Sequence, residues 1–478
     1  MTIVNVSRPS MYGTEAVTVY AARLPFGSLF HLLSHVDAVH GAYYFLMHFV
    51  LLAGHGTFLL RLPSVLAMTA AAGLTARLAR RLTGSDLAAL FAGLTLVIAP
   101  LATEYGQAGR SYAIDTAMAV LTWSLFVTAI DSPADPRAAW RYYTLVVALT
   151  AYLHEMTLLV LAANLVTLVW MRSTRDVWMA WVRAVRWALV LSIPLLVTSV
   201  VQSRQVSWIK PATWNDLNSA YRDFLGPGTA AIALNVALIV MCCWVAARRD
   251  ASLPGVTATR LCLPIFVVAP LLLIVESMIA MPLYGGIRYV VWVSPAMAVL
   301  IGAGLDHAVR LLVPSGARSF AAILGVGVLA ASLASQWKLE ERVHSSAGAP
   351  QDMLAAATYL HQHERPGDGV IFAPRSFYAL RLGYRNDLQP LRDLVIGQSG
   401  RYGGRLYGTE MSAPAISDAV EDSTRIWLVG VSSPRGSTRP ELAALSRNFH
   451  LVSQHHVTGM TLSLFQTSSL RPDVETEG

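Results

Sequence analysis

The chain has 478 residues, of which 54% are hydrophobic and only 14% are charged. A water-soluble protein carries about a quarter charged residues, so this composition argues against a wholly soluble chain and predicts a membrane protein. The formal net charge of +7 comes almost entirely from arginines, which lie in short clusters between apolar stretches. Nucleic-acid binders instead concentrate basic residues on one face with aromatic residues between them. We therefore expect no nucleic-acid partner.

Apolar stretches long enough to cross a bilayer, which takes about 20 residues each, recur along the first two thirds of the chain. They lie near residues 59–76, 85–102, 112–130, 186–201, 229–247, 261–282, 287–309 and 318–336. The stretch 142–171 is long enough for two shorter helices broken at Leu153, His154 and Glu155. This brings the expected number of spans to about ten. The shorter apolar segment 41–54 carries tyrosines and histidines that suit the membrane interface.

Alternate loops between these spans contain arginines. The arginines are Arg77, Arg80 and Arg81; Arg137 and Arg141; Arg172, Arg175, Arg183 and Arg186; Arg248, Arg249 and Arg260; Arg310 and Arg318. Loops rich in arginine stay in the cytoplasm, so the other loops and everything after residue 337 are expected to lie outside the cytoplasmic membrane.

The composition changes after residue 337, where charged and turn-forming residues become more frequent. Short apolar runs alternate there with helical patterns: strands at 369–373, 425–431 and 460–466, and helices at 352–363 and 439–449. Such alternation predicts a small α/β domain. The expected organisation is a transmembrane module over residues 1–337, with an outer loop at 10–57, and an accessory extracytoplasmic domain over 338–478.

Ionisable residues in or beside membrane spans are costly and are therefore candidates for function. Here they collect, together with Gln107, at or near the expected outer face: Glu15, Asp37, His40, Glu104, Arg110, Tyr112, Asp115, His154, Glu155, Tyr284 and Arg288. A carboxylate can act as a general base or hold a metal ion, and a guanidinium matches phosphate oxygens with paired hydrogen bonds. A base next to a phosphate clamp predicts group transfer from a lipid phosphate.

Each candidate also has an ordinary structural interpretation. Asp37 could be a solvated loop acid or the N-cap of the segment 41–54. Arg110 and Arg288 could anchor their helices at lipid headgroups. His154 and its neighbour could form a satisfied polar kink between two helices. The argument for function rests on their occurrence at one face of the membrane.

Several runs of residues resemble the motifs of GT-C glycosyltransferases, in particular bacterial mannosyltransferase-like membrane enzymes akin to protein O-mannosyltransferases and lipid A aminoarabinose transferase. The runs are SMYGTEAVTV (10–19), HVDAVHGAYYFLMHF (35–49), FLLRLPSVLA (58–67), YGQAGRSYA (105–113), LHEMTLLVLAAN (153–164) and GIRYVVWVSPA (286–296). The resemblance covers roughly residues 10–336.

The resemblance implies an α-helical polytopic membrane protein of GT-C type, with an extracytoplasmic C-terminal domain. The implied reaction is an inverting transfer of a sugar, with mannose as the first choice, from a polyprenyl-phosphate donor. The acceptor would be a glycan, a lipid or a protein at the outer face of the cytoplasmic membrane. Membrane lipids are the remaining expected partners.

The resemblance also assigns the two acids. Glu15 would be the general base or a carboxylate that supports it. Asp37 would be a second acid that acts as a base or contacts a metal. No cofactor is assigned with certainty, and dependence on a divalent metal ion is left open, with Asp37 as its contact if one is used.

The basic and aromatic residues of these motifs would bind substrate. Arg110 and Arg288 would clamp the donor phosphate, and His40 would orient the acceptor or the phosphate. Tyr112 and His154 complete the expected substrate-binding set.

The chain departs from the family pattern at two acids. The acidic pair of the first loop is replaced by Thr14 and Glu15. The acid that usually precedes the arginine of the second element is also replaced, since the chain reads Gln107-Ala108-Gly109-Arg110. A first helix found in relatives is also expected to be missing. Two alternatives therefore stay open: a catalytically inactive relative, and a transporter or flippase of polyprenyl lipids.

Overall fold

A computed structural model describes residues 3–131, 136–249, 255–313, 317–345, 349, 351–430 and 439–467. The chain forms two compact units. The first, called the membrane unit here, comprises Met1–Val6, Ala38–Tyr43 and Arg61–Glu341. The second, called the sheet unit, comprises Ser7–Asp37, Tyr44–Leu60 and Arg342–Gly478. Residues 7–37 and 44–60 thus fold with the C-terminal part of the chain, and the boundary expected at 337/338 remains a prediction.

The described residues form twenty α-helices and five strands. The helices that precede the C-terminal region are α1 (Gly13–Ala22), α2 (Phe26–His35), α3 (Gly41–Leu52), α4 (Thr57–Thr83), α5 (Asp86–Ile98), α6 (Pro100–Gly106), α7 (Tyr112–Asp131), α8 (Pro136–Leu153), α9 (Val160–Trp170), α10 (Arg175–Val201), α11 (Trp214–Leu225), α12 (Thr229–Arg249), α13 (Ala258–Ile279), α14 (Ser294–Leu312) and α15 (Arg318–Val343). The remaining helices are α16 (Met353–His363), α17 (Ala379–Gly383), α18 (Gly400–Gly403), α19 (Ala413–Glu421) and α20 (Pro440–Asn448). The strands are β1 (Gly369–Ala373), β2 (Arg392–Asp393), β3 (Arg425–Gly430), β4 (Phe449–Val457) and β5 (Met460–Thr467).

Within the described residues, seven helices are long and apolar enough to cross a membrane, or eight if the bent pair α5–α6 is one span. The predicted multi-span helical protein is thus confirmed, although the count is lower than the expected ten because α8 and α9 do not meet this test. The predicted span 85–102 is broken, with a 61° bend between α5 and α6. Ala99 has extended backbone angles (φ −68°, ψ 127°), as expected for a residue before a proline.

The break predicted inside 142–171 is present. Helix α8 ends at Leu153, and His154 adopts an extended conformation (φ −160°, ψ 106°). A 3-10 helix at Glu155–Leu159 follows, and α9 begins at Val160. The chain thereby places the polar side chain of His154 at a helix junction.

Helix α14 lies at the centre of the membrane unit, where it packs against α5, α12 and α13. Two glycines allow this close approach. A Cβ atom at Gly302 would lie 2.5 Å from the backbone nitrogen of Ala92, and one at Gly304 would lie 1.9 Å from the carbonyl oxygen of Leu238. Small residues at such positions let helix backbones pack tightly in membranes. The two glycines therefore fix the position of α14, which begins at Ser294, a few residues after Arg288.

The sheet unit contains a five-stranded sheet in the order β2-β1-β3-β5-β4. Strand β1 is parallel to both β2 and β3, whereas β5 is antiparallel to β3 and β4. The buried residues Ile371, Leu428 and Phe465 contribute to its core. The predicted strands and helices of the small α/β region are confirmed, except that Val431 lies outside the described residues.

Within the sheet unit, the N-terminal motif segment is tied to the C-terminal residues by hydrogen bonds between backbone and side chain. The Leu354 N–H donates to Ser10 Oγ at 2.8 Å, and the Met11 N–H donates to the Tyr384 hydroxyl at 3.3 Å. Helix α1 packs against α17, and a Cβ atom added at Gly13 would lie 3.6 Å from the Cβ atom of Ala379. The helix that carries Glu15 is therefore held by the C-terminal α/β region.

Candidate functional site

Four basic side chains from distant parts of the sequence meet in the membrane unit, and we call them the basic cluster: His40, Arg110, His154 and Arg288. His40 ends a 3-10 turn at Ala38–His40, and Arg110 lies in the link between α6 and α7. His154 follows α8, and Arg288 lies in a turn that precedes α14. Charge interactions connect His40 with the other three, and His154 with both arginines.

The turn that carries His40 is held by two long helices. It packs against α8 and α10. The Ala38 N–H donates a hydrogen bond to Gln202 Oε1 at 3.0 Å, at the end of α10. The turn that carries the partly buried His40 is thus held by a hydrogen bond between Ala38 and Gln202, which are 164 residues apart in sequence.

The link that carries Arg110 is held by a buried serine of α4. Ser64 Oγ donates to the carbonyl oxygens of Ala108 at 2.6 Å and Arg110 at 3.2 Å. Arg110 itself is only 5% exposed. One turn further on, Ser111 Oγ donates to Asp115 Oδ2 at 2.9 Å, which places an acid in the first turn of α7 where the helix dipole favours it.

Arg288 is positioned by aromatic rings and glycines. The Tyr289 ring packs so closely on Gly285 that a Cβ atom there would lie 2.5 Å from it, and Gly286 has a positive φ of 108°. The guanidinium carbon of Arg288 lies 5.3 Å from the Tyr289 ring centre and 5.6 Å from that of Trp208. Both distances are within the range of cation–π attraction, which orients the guanidinium.

His154 is the most enclosed imidazole of the cluster, with 6% exposure. Its ring centre lies 5.6 Å from that of Tyr289 and 6.1 Å from that of Tyr112. Its Nδ1 atom has no hydrogen-bond partner among the residues that the structure describes. Buried polar atoms are nearly always hydrogen-bonded, so an unpartnered one points to a ligand or an ordered water.

Both histidines are held in the neutral form. Burial, followed by the positive charges of Arg110, His154 and Arg288, lowers the pKa of His40 well below its ordinary value of 6.5. Burial and the same two guanidiniums lower the pKa of His154 to about 4. An anion entering the cluster would counter these positive charges and would raise both pKa values.

The arrangement can therefore bind a phosphate group. Two guanidiniums supply permanent positive charge and paired hydrogen bonds, and two neutral imidazoles can each donate or accept one more. Tyr112 and Tyr289 enclose the cluster and lower the local dielectric constant, which strengthens the charge interactions.

The two predicted acids lie in the sheet unit. Glu15 is fully buried in the first turn of α1, where its Oε2 atom accepts the Tyr12 N–H at 2.8 Å. Asp37 is partly buried, has a positive φ of 64°, and accepts a hydrogen bond from the Tyr44 hydroxyl. The structure thus brings together His40, Arg110, Tyr112, His154 and Arg288 in one unit and places Glu15 and Asp37 in the other.

A cavity of about 620 Å³ lies in the sheet unit next to Val36, the residue that precedes Asp37. Val36 lines it together with Arg375, Arg405, Tyr407 and Glu410. It is large enough for a small ligand and offers both charge signs as well as a hydroxyl. Hydropathy analysis gave no indication of this cavity, because Val36 and the segment 405–410 are far apart in sequence.

Among the described residues, no group of three or more His, Cys, Asp or Glu side chains could hold a metal ion. We derive no chemical step through a metal.

Two aromatic residues at the cluster were missed in the sequence. Tyr289 follows Arg288 directly in the run GIRYVV, so the motif itself contained the signal. Trp208 lies in the segment between α10 and α11, where no pattern singles it out.

Residues 40–198 match the family of dolichyl-phosphate-mannose-protein mannosyltransferases. The structure is similar to ArnT from Cupriavidus metallidurans in the apo state, with a TM-score of 0.63 and 15% identity over 96% of this chain and 95% of that chain. It is also similar to the same protein bound to undecaprenyl phosphate, with a TM-score of 0.60 and 14% identity over 97% and 95%. No curated protein matches the chain by sequence.

These likenesses concern architecture, since the identities are low. The structural match to the apo form extends over almost the whole length of both chains. The resemblance inferred from the sequence is confirmed: the chain is a multi-span membrane protein with the fold of the GT-C glycosyltransferases.

Proposed function

We propose that the protein transfers a sugar, with mannose as the first choice, from a polyprenyl-phosphate donor to an acceptor at the outer face of the cytoplasmic membrane. The observation that carries the proposal is the basic cluster, in which two guanidiniums and two neutral imidazoles from four chain segments converge. The match to ArnT bound to undecaprenyl phosphate supports a lipid phosphate as the ligand.

In the proposed reaction, an acceptor hydroxyl oxygen attacks the anomeric carbon of the donor sugar. The bond between that carbon and the phosphate oxygen breaks, and the electron pair leaves with the lipid phosphate. The acceptor proton passes to a carboxylate. Because negative charge develops on the departing phosphate, Arg110 and Arg288 stabilise the transition state more than the ground state.

Asp37 is the better candidate for the base. It is partly exposed, whereas Glu15 is fully buried and accepts the Tyr12 N–H at the start of α1. A base must reach the acceptor proton directly or through one water. Glu15 then acts by holding the N-terminal motif segment in place.

The neutral histidines have a separate role. A neutral imidazole can donate a hydrogen bond to a phosphate oxygen without adding a third fixed charge to a buried site. As the phosphate charge grows, the pKa values of His40 and His154 rise, and the imidazoles donate more strongly. The unpartnered Nδ1 of His154 is the atom best suited to this contact.

The cavity next to Val36 is our candidate for the acceptor subsite. Tyr407 and Glu410 can hydrogen-bond hydroxyl groups, and Arg405 can bind an acidic group of the acceptor. The proposed orientation places the C-terminal domain outside the membrane. The arginine-rich loops then face the cytoplasm, as the positive-inside rule requires.

Transfer from a lipid-linked sugar in membranes that contain the full chain tests the assignment. Asp37→Asn should reduce transfer on the order of 100-fold, the usual contribution of a general base, and Glu15→Gln should reduce it less. The matched control is Asp387→Asn, which changes an exposed acid of the sheet unit. If Asp37→Asn and Glu15→Gln both transfer sugar at the control rate, the assignment of the acids is wrong.

The same preparation separates the alternatives. Purified wild-type protein that retains a polyprenyl phosphate but never consumes a donor sugar would indicate an inactive relative. Movement of the donor lipid across a reconstituted bilayer without glycosyl transfer would indicate a transporter. Mass spectrometry of a panel of polyprenyl-phosphate sugars would show which sugar is consumed.

A further inference from the structure

A second polar cavity lies in the membrane unit, at the other end of the helices from the basic cluster. It has a volume of about 560 Å³ and lies between the end of α7 and the first turns of α8 and α10. Its polar lining includes Arg137, Arg141, Arg183 and Asp176. We call these residues and the space between them the arginine groove. The proposed transfer reaction assigns it no role.

The groove is formed by two helices that run in parallel. Thr144 Oγ1 of α8 donates to the Ala184 carbonyl of α10 at 3.3 Å, and the Tyr152 hydroxyl donates to the Leu191 carbonyl at 3.1 Å. Both hydrogen bonds join residues separated by nearly the same number of positions in sequence. The helices α8 and α10 therefore run in the same direction. The N-termini of two long helices, each with a partial positive charge, therefore lie at the same end as the groove.

The groove carries a net positive charge. Arg137 and Arg141 are four residues apart and so lie on one face of α8, and Arg183 faces them from α10. Among the described residues, none of the three guanidiniums forms an ion pair with a carboxylate. Asp176 is the single acid among the described residues of the lining, so positive charge remains there for an external anion.

The same groove joins an apolar surface. Trp140 is buried at its base, whereas Trp187 is half exposed at its rim. Beyond Trp187, α10 exposes Leu191 and further aliphatic side chains that face away from the protein core. Tryptophan is typical of the level at which headgroups meet acyl chains. The lining thus changes from arginine to hydrocarbon along one helix.

We propose that the arginine groove binds the headgroup of an anionic phospholipid. The phosphate diester accepts paired hydrogen bonds from the arginines, and the acyl chains lie along Trp187 and Leu191 of α10. Basic pockets between membrane helices on the cytoplasmic side bind such headgroups. A free phosphate ion would use the arginines but would gain nothing from the adjoining apolar surface.

Native mass spectrometry of the full chain in detergent tests this proposal, with phosphatidylglycerol and phosphatidylcholine as probes. The wild type should bind phosphatidylglycerol in preference to phosphatidylcholine. The double variant Arg141→Gln/Arg183→Gln should bind phosphatidylglycerol about 30-fold more weakly. Each basic residue near a headgroup strengthens binding by about five- to sixfold, and the losses of two such residues multiply. The charge-matched control Arg77→Gln/Arg248→Gln should bind it as the wild type does.

Two further measurements complete the test. The variant Arg141→Lys/Arg183→Lys keeps the charge and should retain most of the binding, which separates lost charge from lost folding. Inorganic phosphate at the same concentration should not displace the lipid. Equal phosphatidylglycerol binding by the groove and control double variants would overturn the proposal. So would displacement by inorganic phosphate, which would assign the groove to a free anion.

Discussion

Two groups of arginines lie at opposite ends of α7 and α8, and they differ in how the protein surrounds them. Arg110 of the basic cluster is almost fully buried, and its charge lowers the pKa of two imidazoles. Arg141 and Arg183 of the arginine groove are exposed. Charges in a buried site act strongly on their neighbours, whereas exposed charges are screened within about 10 Å at ordinary salt. The first environment suits chemistry and the second suits reversible lipid contact.

The largest expected effect separates these two environments directly. Arg110→Gln should reduce sugar transfer on the order of 100-fold, because it removes a buried charged donor that acts on the departing phosphate. Arg141→Gln should reduce transfer by at most a fewfold, since its guanidinium lies at the far end of α8. Initial rates in membranes at saturating donor measure both. Equal losses in the two variants would show that the two arginine groups do not have separate roles.

A smaller effect tests whether geometry or charge matters in the basic cluster. Arg288→Lys keeps the positive charge but loses the paired hydrogen bonds and weakens the contact with Trp208. We expect transfer to fall about tenfold, which corresponds to one charge-assisted hydrogen bond. The control Arg77→Lys changes an exposed arginine in the same way. A wild-type rate for Arg288→Lys would mean that charge alone is needed.

The smallest effect concerns acid stability. The pKa of His154 is about 4 in the folded protein and 6.5 ordinarily, so between these values the unfolded chain binds more protons than the folded one. The stability provided by neutral His154 is present above pH 6.5 and is lost as the pH falls towards 4. The pKa of His40 is lowered as well, so its contribution to stability depends on pH in the same direction. On acidification, the melting temperature of His154→Gln should fall by about 2–4 °C less than that of the wild type.

Thermal unfolding at several pH values measures this difference. His450→Gln, which changes an exposed histidine of β4, is the matched control and should follow the wild type. If His154→Gln and wild type lose stability in parallel, the imidazole of His154 is not held neutral by Arg110 and Arg288.

Hydropathy and helical pattern were sufficient for much of the fold, because the cost of exposing polar backbone to lipid fixes where the spans lie. They located the break at His154 and the strands β1, β3 and β5. The bend at Pro100 was missed, although a proline after Ala99 was visible in the sequence.

The grouping of the basic residues was predicted for the same reason, whereas their roles remain predictions. The clustering of basic residues followed from counting loops, since ends of alternate spans share one face of a membrane. The grouping of residues 7–37 with the C-terminal region could not be predicted, because it depends on contacts such as that between Met11 and Tyr384. Single contacts between residues far apart in the chain produce no repeating pattern of apolar residues in the sequence.

The glycines of α14 also restrict how the protein can move. Gly302 and Gly304 bring this helix against the backbones of α5 and α12, with no room for even a methyl group. A helix held at that distance cannot rotate about its axis without steric overlap with its neighbours. We therefore expect the turn that carries Arg288 to keep its position when the proposed donor binds. We expect the less buried helix α10 to yield more easily to a long lipid chain.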